Sequence, residues 1–324
     1  MAIHRIPRFA DSTLDALVVP GFSRVGYALR APGFRALDTY SLAGKTVVIT
    51  GPTSGLGLAA ARQMTRMGAH LVLVGRSQKK LDDVRTELAA AGSSPDTVVA
   101  DMGDLAAVAA AAAPIARLAP QVHAIVHNAG ALLAVRETSP QGHEMTVASH
   151  VLGPHLLTTL LLPQLRAARG RVVTVSSGGM YAATLPPADR DGCPEMSVDS
   201  YDGTRQYAIA KRAQVTLNEM WAEREPTVTF AAMHPGWADT PGVQQALPTF
   251  RTLTRPFLRT ADQGADTISW LVADDAVPGQ SGRFWCDRVV RPIHRLGRTR
   301  RSDTPQARAA LWRWCDTRIA PFST

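Results

Sequence analysis

The chain has 324 residues, 45% of them hydrophobic, and three widely spaced cysteines, Cys193, Cys286 and Cys315. That length and apolar content suit one large α/β domain with appendages and exclude global disorder; the cysteines give neither a disulfide framework nor metal-ligand spacing. The formal charge of +8 sits at the ends: residues 1–43 hold five Arg and three Asp, and residues 283–324 hold ten Arg and three Asp, so the central part is close to neutral.

Residues 1–43 form an N-terminal extension that scatters Ile3, Ile6, Phe9, Phe22, Tyr27 and Phe34 among its arginines, an interfacial composition. No run of 18 apolar residues follows, and the stretch 14–19 is too weak for a signal peptide. The expected location is therefore the cytoplasm. From 44 to 290, short β-branched runs alternate with longer helical patterns. Strands are predicted at 46–50, 70–74, 97–100, 124–127, 171–175, 228–233 and 283–286. Helices are predicted at 55–67, 78–91, 105–118, 142–165, 203–223 and 261–273. The alternation calls for βαβ crossovers: a single doubly wound α/β domain, its parallel sheet of about seven strands covered by helices on both faces.

Chemistry-bearing residues fall at the strand ends. Gly51, Thr53, Ser54, Gly55, Leu56 and Gly57 join the first strand to the first helix in the spacing G-x-x-x-G-x-G. Glycines there let the backbone approach a pyrophosphate whose charge lies at the helix N-terminus; an ordinary glycine-rich turn has the same composition. The second strand ends in Gly75-Arg76-Ser77 with no acid. An acid there would bond a free ribose 2′-hydroxyl, whereas Arg76 suits a 2′-phosphate, so NADP(H) is expected over NAD(H). After the third strand, Asp101 can bond an adenine amino group or cap the following helix. The fourth strand ends in Asn128-Ala129-Gly130, the fifth in Ser176-Ser177, and the sixth runs into Pro235-Gly236-Trp237, with Thr240 beyond. Tyr207 and Lys211 lie four apart on a predicted helix, so phenol and ammonium share a face. A nearby cation lowers a phenol pKa and makes the group a usable acid/base.

In this order, Thr50–Gly57, Asn128–Gly130, Ser177, Tyr207 with Lys211, and Pro235–Gly236 resemble the short-chain dehydrogenase/reductase family over roughly residues 44–286. The long gap between Ser177 and Tyr207 resembles its retinol-dehydrogenase-type branch. VSSGGM at 175–180 and MHPGWADTPGV at 233–243 resemble one narrower subgroup. The resemblance implies a Rossmann-type fold and hydride transfer between NADP(H) and a carbonyl or alcohol. Ser177 would bond the carbonyl oxygen, Tyr207 would donate the proton, and Lys211 would tune the phenol and hold the nicotinamide ribose. Asp101, Met102, Asn128, Ala129, Gly130, Pro235, Gly236, Trp237 and Thr240 would line the cofactor. The family's further catalytic Asn is replaced by His150. A His there would hold a relay water and titrate near neutral pH, or merely pack.

Met180, Tyr181, Leu185, Leu247, Phe250, Leu253 and Phe257, in the segments 178–202 and 241–260, are expected to line an apolar pocket for a lipophilic substrate. A competing reading is a non-catalytic NADP(H)-binding sensor or scaffold. The Arg-rich C-terminal tail, 291–324, carries Arg291, Arg295, Arg298, Arg300 and Arg301 and ends in a short helix with Trp312 and Trp314. It is read as a solvated segment or as a peripheral contact to anionic membranes. No module for specific nucleic-acid recognition accompanies it. Oligomeric state is not encoded in any of these signals.

Overall fold

The computed structural model describes residues 7–240, 244, 251, 252 and 254–323; Ile3, Ile6, Leu247, Phe250 and Leu253 lie outside them. Three short helices open the chain, α1 (Arg8–Ala16), α2 (Val18–Phe22) and α3 (Arg24–Arg30). The sheet then builds through β1 (Thr46–Thr50), α4 (Gly55–Arg66), β2 (His70–Gly75), α5 (Gln78–Ala90), β3 (Asp96–Val99), α6 (Leu105–Leu118) and β4 (Ala124–His127). The second half follows as α7 (Gly153–Leu160), α8 (Leu162–Ala168), β5 (Arg171–Val175), α9 (Gly203–Arg224), β6 (Thr229–Met233), α10 (Ala261–Ala273), β7 (Arg283–Cys286) and β8 (Val289–Val290). The chain closes with α11 (Gly297–Ser302) and α12 (Pro305–Ile319).

The strand order is β3-β2-β1-β4-β5-β6-β7-β8, parallel up to β7, with β8 antiparallel to it. The order reverses between β1 and β4, and in such sheets ligands bind in the crevice at the strands' carboxyl ends beside that switch point. Alternation along each strand feeds two cores. In β1, Val48 faces α6, α7, α9 and α12, whereas Val47 and Ile49 face α4, α5 and α10. Both faces are covered, which explains the near-continuous apolar runs of the inner strands.

The predicted strands are present with shifted ends, and β8 is an addition. It is made by a tight hairpin in which Asp287 (φ 53°) and Arg288 (φ 58°) both adopt left-handed backbone. The helix expected over 142–165 is broken. It starts as one turn at Met145–Val147, passes through a π-helical segment Ala148–Leu152, and bends again between α7 and α8.

The tail corrects the sequence reading most. Residues 291–323 are a folded part of the molecule. Thr304 caps α12 by accepting from the Ala307 amide, with Pro305 in the first turn. Leu311, Trp314, Cys315 and Ile319 then enter the same core as Trp221 and Phe230. The α12 backbone at Ala310 lies so close to Gly192 (φ +71°) that an added Cβ there would be 2.3 Å from it. The arginine run is also partly spent internally. Arg291 pairs with Asp11 at 2.7 Å and Arg295 with Asp15 at 2.7 Å, which leaves Arg298, Arg300 and Arg301 exposed. Neither a free solvated segment nor a five-arginine lipid contact is therefore available. The N-terminal extension packs down as well: Phe22 is buried, while Phe9 is 77% exposed.

Candidate active site

The ends of β1 and β4 are sewn together at the switch point. The buried Thr50 hydroxyl accepts from the amides of Asn128 and Ala129, both at 3.1 Å. In return, Asn128 Nδ2 donates to the carbonyls of Thr50 (3.1 Å) and Gly51 (3.0 Å). Asn128 thus holds the glycine-rich turn in shape. A Cβ on Gly57 would lie 2.1 Å from the Gly51 carbonyl, and one on Gly51 (φ +67°) 2.9 Å from Ala129 Cα. Larger residues would collide with the turn itself and with Asn128 and Ala129, so the glycines let the loop close tightly at the N-terminus of α4. Ser54, at the N-cap, makes no side-chain cap bond, so the first amides of α4 face the crevice beside half-buried Thr53, Gly55 and Leu56. This geometry suits an anion such as a pyrophosphate.

Arg76 is exposed at the end of β2, where Ser77 caps α5 by accepting from the Lys80 amide. Asp101 accepts from the Gly103 amide at 2.8 Å, and the capping of α6 belongs to Asp104, which accepts from Ala106 at 3.0 Å. The Met102 side chain is in the core, and its carbonyl would lie 2.1 Å from a Cβ on Gly153.

Three catalytic candidates converge at the end of β5. Ser176 turns inward, donating to the Lys211 carbonyl at 2.9 Å. Ser177 therefore faces the crevice; its hydroxyl accepts from the Gly179 amide at 3.2 Å and reaches Tyr207. One turn along α9, Lys211 is 4% exposed. Its ammonium donates to the Val175 carbonyl at 2.8 Å and lies 5.3 Å from the Tyr207 ring centre.

The electrostatics differ from the sequence expectation. Burial raises the Tyr207 phenol above its ordinary value, and the Ser177 hydrogen bond offsets only part of that. Burial pushes Lys211 down to about 7. Desolvation therefore outweighs the tuning of the phenol by the amine.

His150 departs further. It sits in the π-helical segment, 2% exposed, with its ring centre 5.5 Å from that of Tyr207 and its Nε2 3.0 Å from the Ala131 carbonyl oxygen. A Cβ on Gly130 would collide with it at 2.3 Å. Burial first, and the charge of Lys211 second, hold its pKa well below 6.5. It is a neutral imidazole, and the expected titration near neutral pH does not occur. With Nε2–H donating to Ala131, Nδ1 is an acceptor. Nδ1 is buried without a hydrogen-bond partner, and His150 lines a small, largely apolar cavity of about 30 Å³ together with His127, His155, Gln214 and Asn218. That volume suffices for a water molecule.

The apolar pocket lining is also corrected. Met180 and Tyr181 are buried with Phe22 and Phe284, and Leu185 is in the main core; they pack the flanking segments onto the domain. Phe257 is 48% exposed. Pro235, Gly236 and Trp237 follow β6 beside Ser177, and Thr240 is half-buried further along.

Sequence reasoning missed three residues at this edge, Phe22, Arg259 and Asp287. Arg259 is 1% exposed and donates to both carboxylate oxygens of Asp287 at 2.6 and 2.9 Å. Nothing in the linear pattern marks an Arg in an Arg-rich chain as buried.

The family model for short chain dehydrogenase matches residues 45–184. Human dehydrogenase/reductase SDR family member 12 is 36% identical over 278 residues, covering 84% of this chain and 86% of the relative. Mouse polyprenol dehydrogenase is 32% identical over 260 residues, covering 76% of each. Among solved structures, L-sorbose reductase from Gluconobacter frateurii, complexed with NADPH and L-sorbose, superposes with a TM-score of 0.60 at 20% identity. That match covers 76% of this chain and 95% of the other, and it shows likeness of fold.

The low Lys211 pKa is directly testable, since the sequence has four lysines, Lys45, Lys79, Lys80 and Lys211. In an NMR titration of labelled lysine side chains, Lys211 should titrate near 7, well below the ordinary lysine value of 10.5; a Lys211 midpoint above 9 would refute the burial argument. Between those two pKa values the unfolded chain binds more protons than the folded one. Burying Lys211 therefore costs stability at neutral pH, and the cost fades as pH rises toward 10.5.

Proposed function

The chain belongs to the short-chain dehydrogenase/reductase family of oxidoreductases, and on that premise we propose that it is an NADP(H)-dependent enzyme interconverting a carbonyl and an alcohol. The convergence of Ser177, Tyr207 and Lys211 beside the glycine cradle carries this reading. A bound nicotinamide would supply or accept the hydride. The residues fit such a group. Gly51 and Gly57 let the turn close on Asn128 and Ala129 and so shape the loop at the α4 N-terminus where a pyrophosphate would sit, and Arg76 lies where an adenosine ribose would sit.

The protein's own residues handle orientation and the proton. Ser177 donates to the carbonyl oxygen of the substrate while its own oxygen accepts from Gly179. Tyr207, protonated because burial raises its pKa, gives its proton to that oxygen as negative charge develops there. Lys211, anchored on the Val175 carbonyl, holds the ribose side of the site. His150, neutral and fixed by its Nε2–H on the Ala131 carbonyl, packs against the Tyr207 ring and carries no positive charge. We place the protein in the retinol-dehydrogenase-type branch, near SDR family member twelve, and its substrate among lipophilic carbonyls and alcohols. Similarity to a polyprenol dehydrogenase supports that choice.

Cofactor preference follows from Arg76. Calorimetry should show NADPH bound more tightly than NADH, and Arg76→Ala should erase most of the difference, roughly tenfold or more. Tighter NADH binding, or an unaltered preference in the variant, would sink the assignment.

For catalysis, Tyr207→Phe removes one hydroxyl and should lower turnover of a carbonyl substrate by on the order of a thousandfold while NADPH binding persists. Near-normal rates would mean that another group delivers the proton.

For His150, the pH–rate profiles of the wild type and His150→Asn should show the same ionisations near neutral pH, because burial keeps the imidazole neutral there. An ionisation that disappears in the variant would show that His150 relays protons after all.

A further inference from the structure

The N-terminal extension reaches the working edge of the sheet. The Phe22 carbonyl accepts from the Trp237 amide at 2.8 Å. Its ring is buried against the Ser177 turn: a Cβ on Gly178 would lie 2.7 Å from it. The same ring stands 4.3 Å from His234 and 6.3 Å from Trp237, centre to centre. One side chain therefore touches the end of β5 and the end of β6 together.

The contact is locked from outside. Arg259 donates to the carbonyls of Ser23 (3.1 Å), Gly21 (3.2 Å) and Pro235 (3.2 Å) while it grips Asp287. Its own amide donates to the Trp237 carbonyl at 2.7 Å, and its carbonyl accepts from the Asp239 amide at 2.9 Å. Arg30 completes the lock by donating to Asp287 at 2.7 Å, to the Gly21 carbonyl at 2.9 Å and to Asp11 at 2.6 Å. At Gly236 (φ +74°), a Cβ would lie 2.5 Å from both the Phe22 carbonyl and the Arg259 guanidinium. The loop 235–240 thus takes its shape from residues 21–23 and Arg259.

Its position gives that shape a consequence. The glycine cradle follows β1 and Arg76 follows β2, so the adenosine half of a dinucleotide lies toward β2 and β3. The nicotinamide half must then extend over β4, β5 and β6, between Ser177, Tyr207 and the loop 235–240. We infer that the N-terminal extension is part of the active site, with Phe22 the positioning residue that sets the Ser177 turn and the 235–240 loop for the nicotinamide half of the cofactor. The inference rests on the dinucleotide reading above and adds to it a distant segment that acts on one half of the ligand.

Two probes separate the halves. NADPH spans the whole crevice, whereas adenosine 2′,5′-bisphosphate carries only the adenosine side. Calorimetry of the full-length chain should show Phe22→Ala weakening NADPH about tenfold and the bisphosphate less than about twofold. Phe22→Leu should recover most of the NADPH affinity. Phe9→Ala, on the exposed side of α1, should leave both unchanged. Equal losses for the two probes, which general loosening would produce, overturn the inference, and so does no loss for either. If Phe22→Ala does not fold, Phe22→Leu carries the test at about threefold for NADPH against no change for the bisphosphate. A wild-type chain that binds neither probe overturns the dinucleotide reading itself, and this inference with it.

Discussion

Asp287 carries a negative charge where it is 1% exposed, and the geometry of the sheet's carboxyl edge follows from how that charge is met. Two guanidiniums from elsewhere in the sequence, Arg259 and Arg30, close on it, and together they hold its carboxyl below the usual range although burial alone would raise it. Such a cluster does little for net stability, since desolvating three charges costs about what their attraction returns. Removing one partner is different, at roughly 3–5 kcal/mol for a charge left bare. The cluster ties α1–α3, the β7–β8 turn and the backbone after β6 to one another, and in that arrangement Phe22 lies on Gly178.

A second constraint acts at the other side of the crevice. The side chains of Thr50 and Asn128 make four hydrogen bonds across the β1–β4 seam, each to a backbone group of Thr50, Gly51, Asn128 or Ala129. Their specificity lies in what would be orphaned without them. The strand-end amides and carbonyls would otherwise be left unpaired at a partly buried edge, each at a cost of about 1–3 kcal/mol. The seam shapes the cradle from one side and the arginine cluster shapes the loop from the other. The Ser177–Tyr207–Lys211 group stands between two rigid walls built by unrelated chemistry.

What was legible in the sequence was local. The strand-turn-helix at 46–66, the i, i+4 pair of Tyr207 and Lys211, and the residues at strand ends all depend on spacing along a single element, and all are where spacing puts them. What stayed hidden depends on contacts across the chain. A linear charge count treats Arg291 and Arg295 as free because Asp11 and Asp15 are 280 residues away in sequence. The same count hid Arg259. The α12 residues Leu311, Trp314 and Cys315 follow helical spacing, but the surrounding arginines masked the apolar stripe. The breaks in the 142–165 helix have local causes that the residues do carry but the helical period overrode: Pro154 follows the π turn at Ala148–Leu152, and Pro163 opens α8 after the second bend. His150 illustrates the same limit for chemistry. Its place opposite Tyr207 was readable, and its protonation state was not, because depth of burial decides it.

The electrostatics of that centre bear on the direction of proton flow. In water a phenol and an ammonium lose their protons at nearly the same pH, about 10 and 10.4. Here desolvation separates them. Each group is driven toward its neutral form, so the phenol holds its proton more firmly while the amine gives its own up near 7. A neutral His150 adds no compensating charge beside them. At neutral pH Tyr207 is accordingly a hydrogen-bonded acid waiting for an oxygen that gains negative charge, which is what a carbonyl under reduction presents. Alcohol oxidation makes the opposite demand, because the proton must leave toward a phenolate that burial disfavours. Arrival of an anionic or dipolar ligand beside Lys211 would restore its charge and ease that demand, so the balance between the two directions depends on how the ligand is seated.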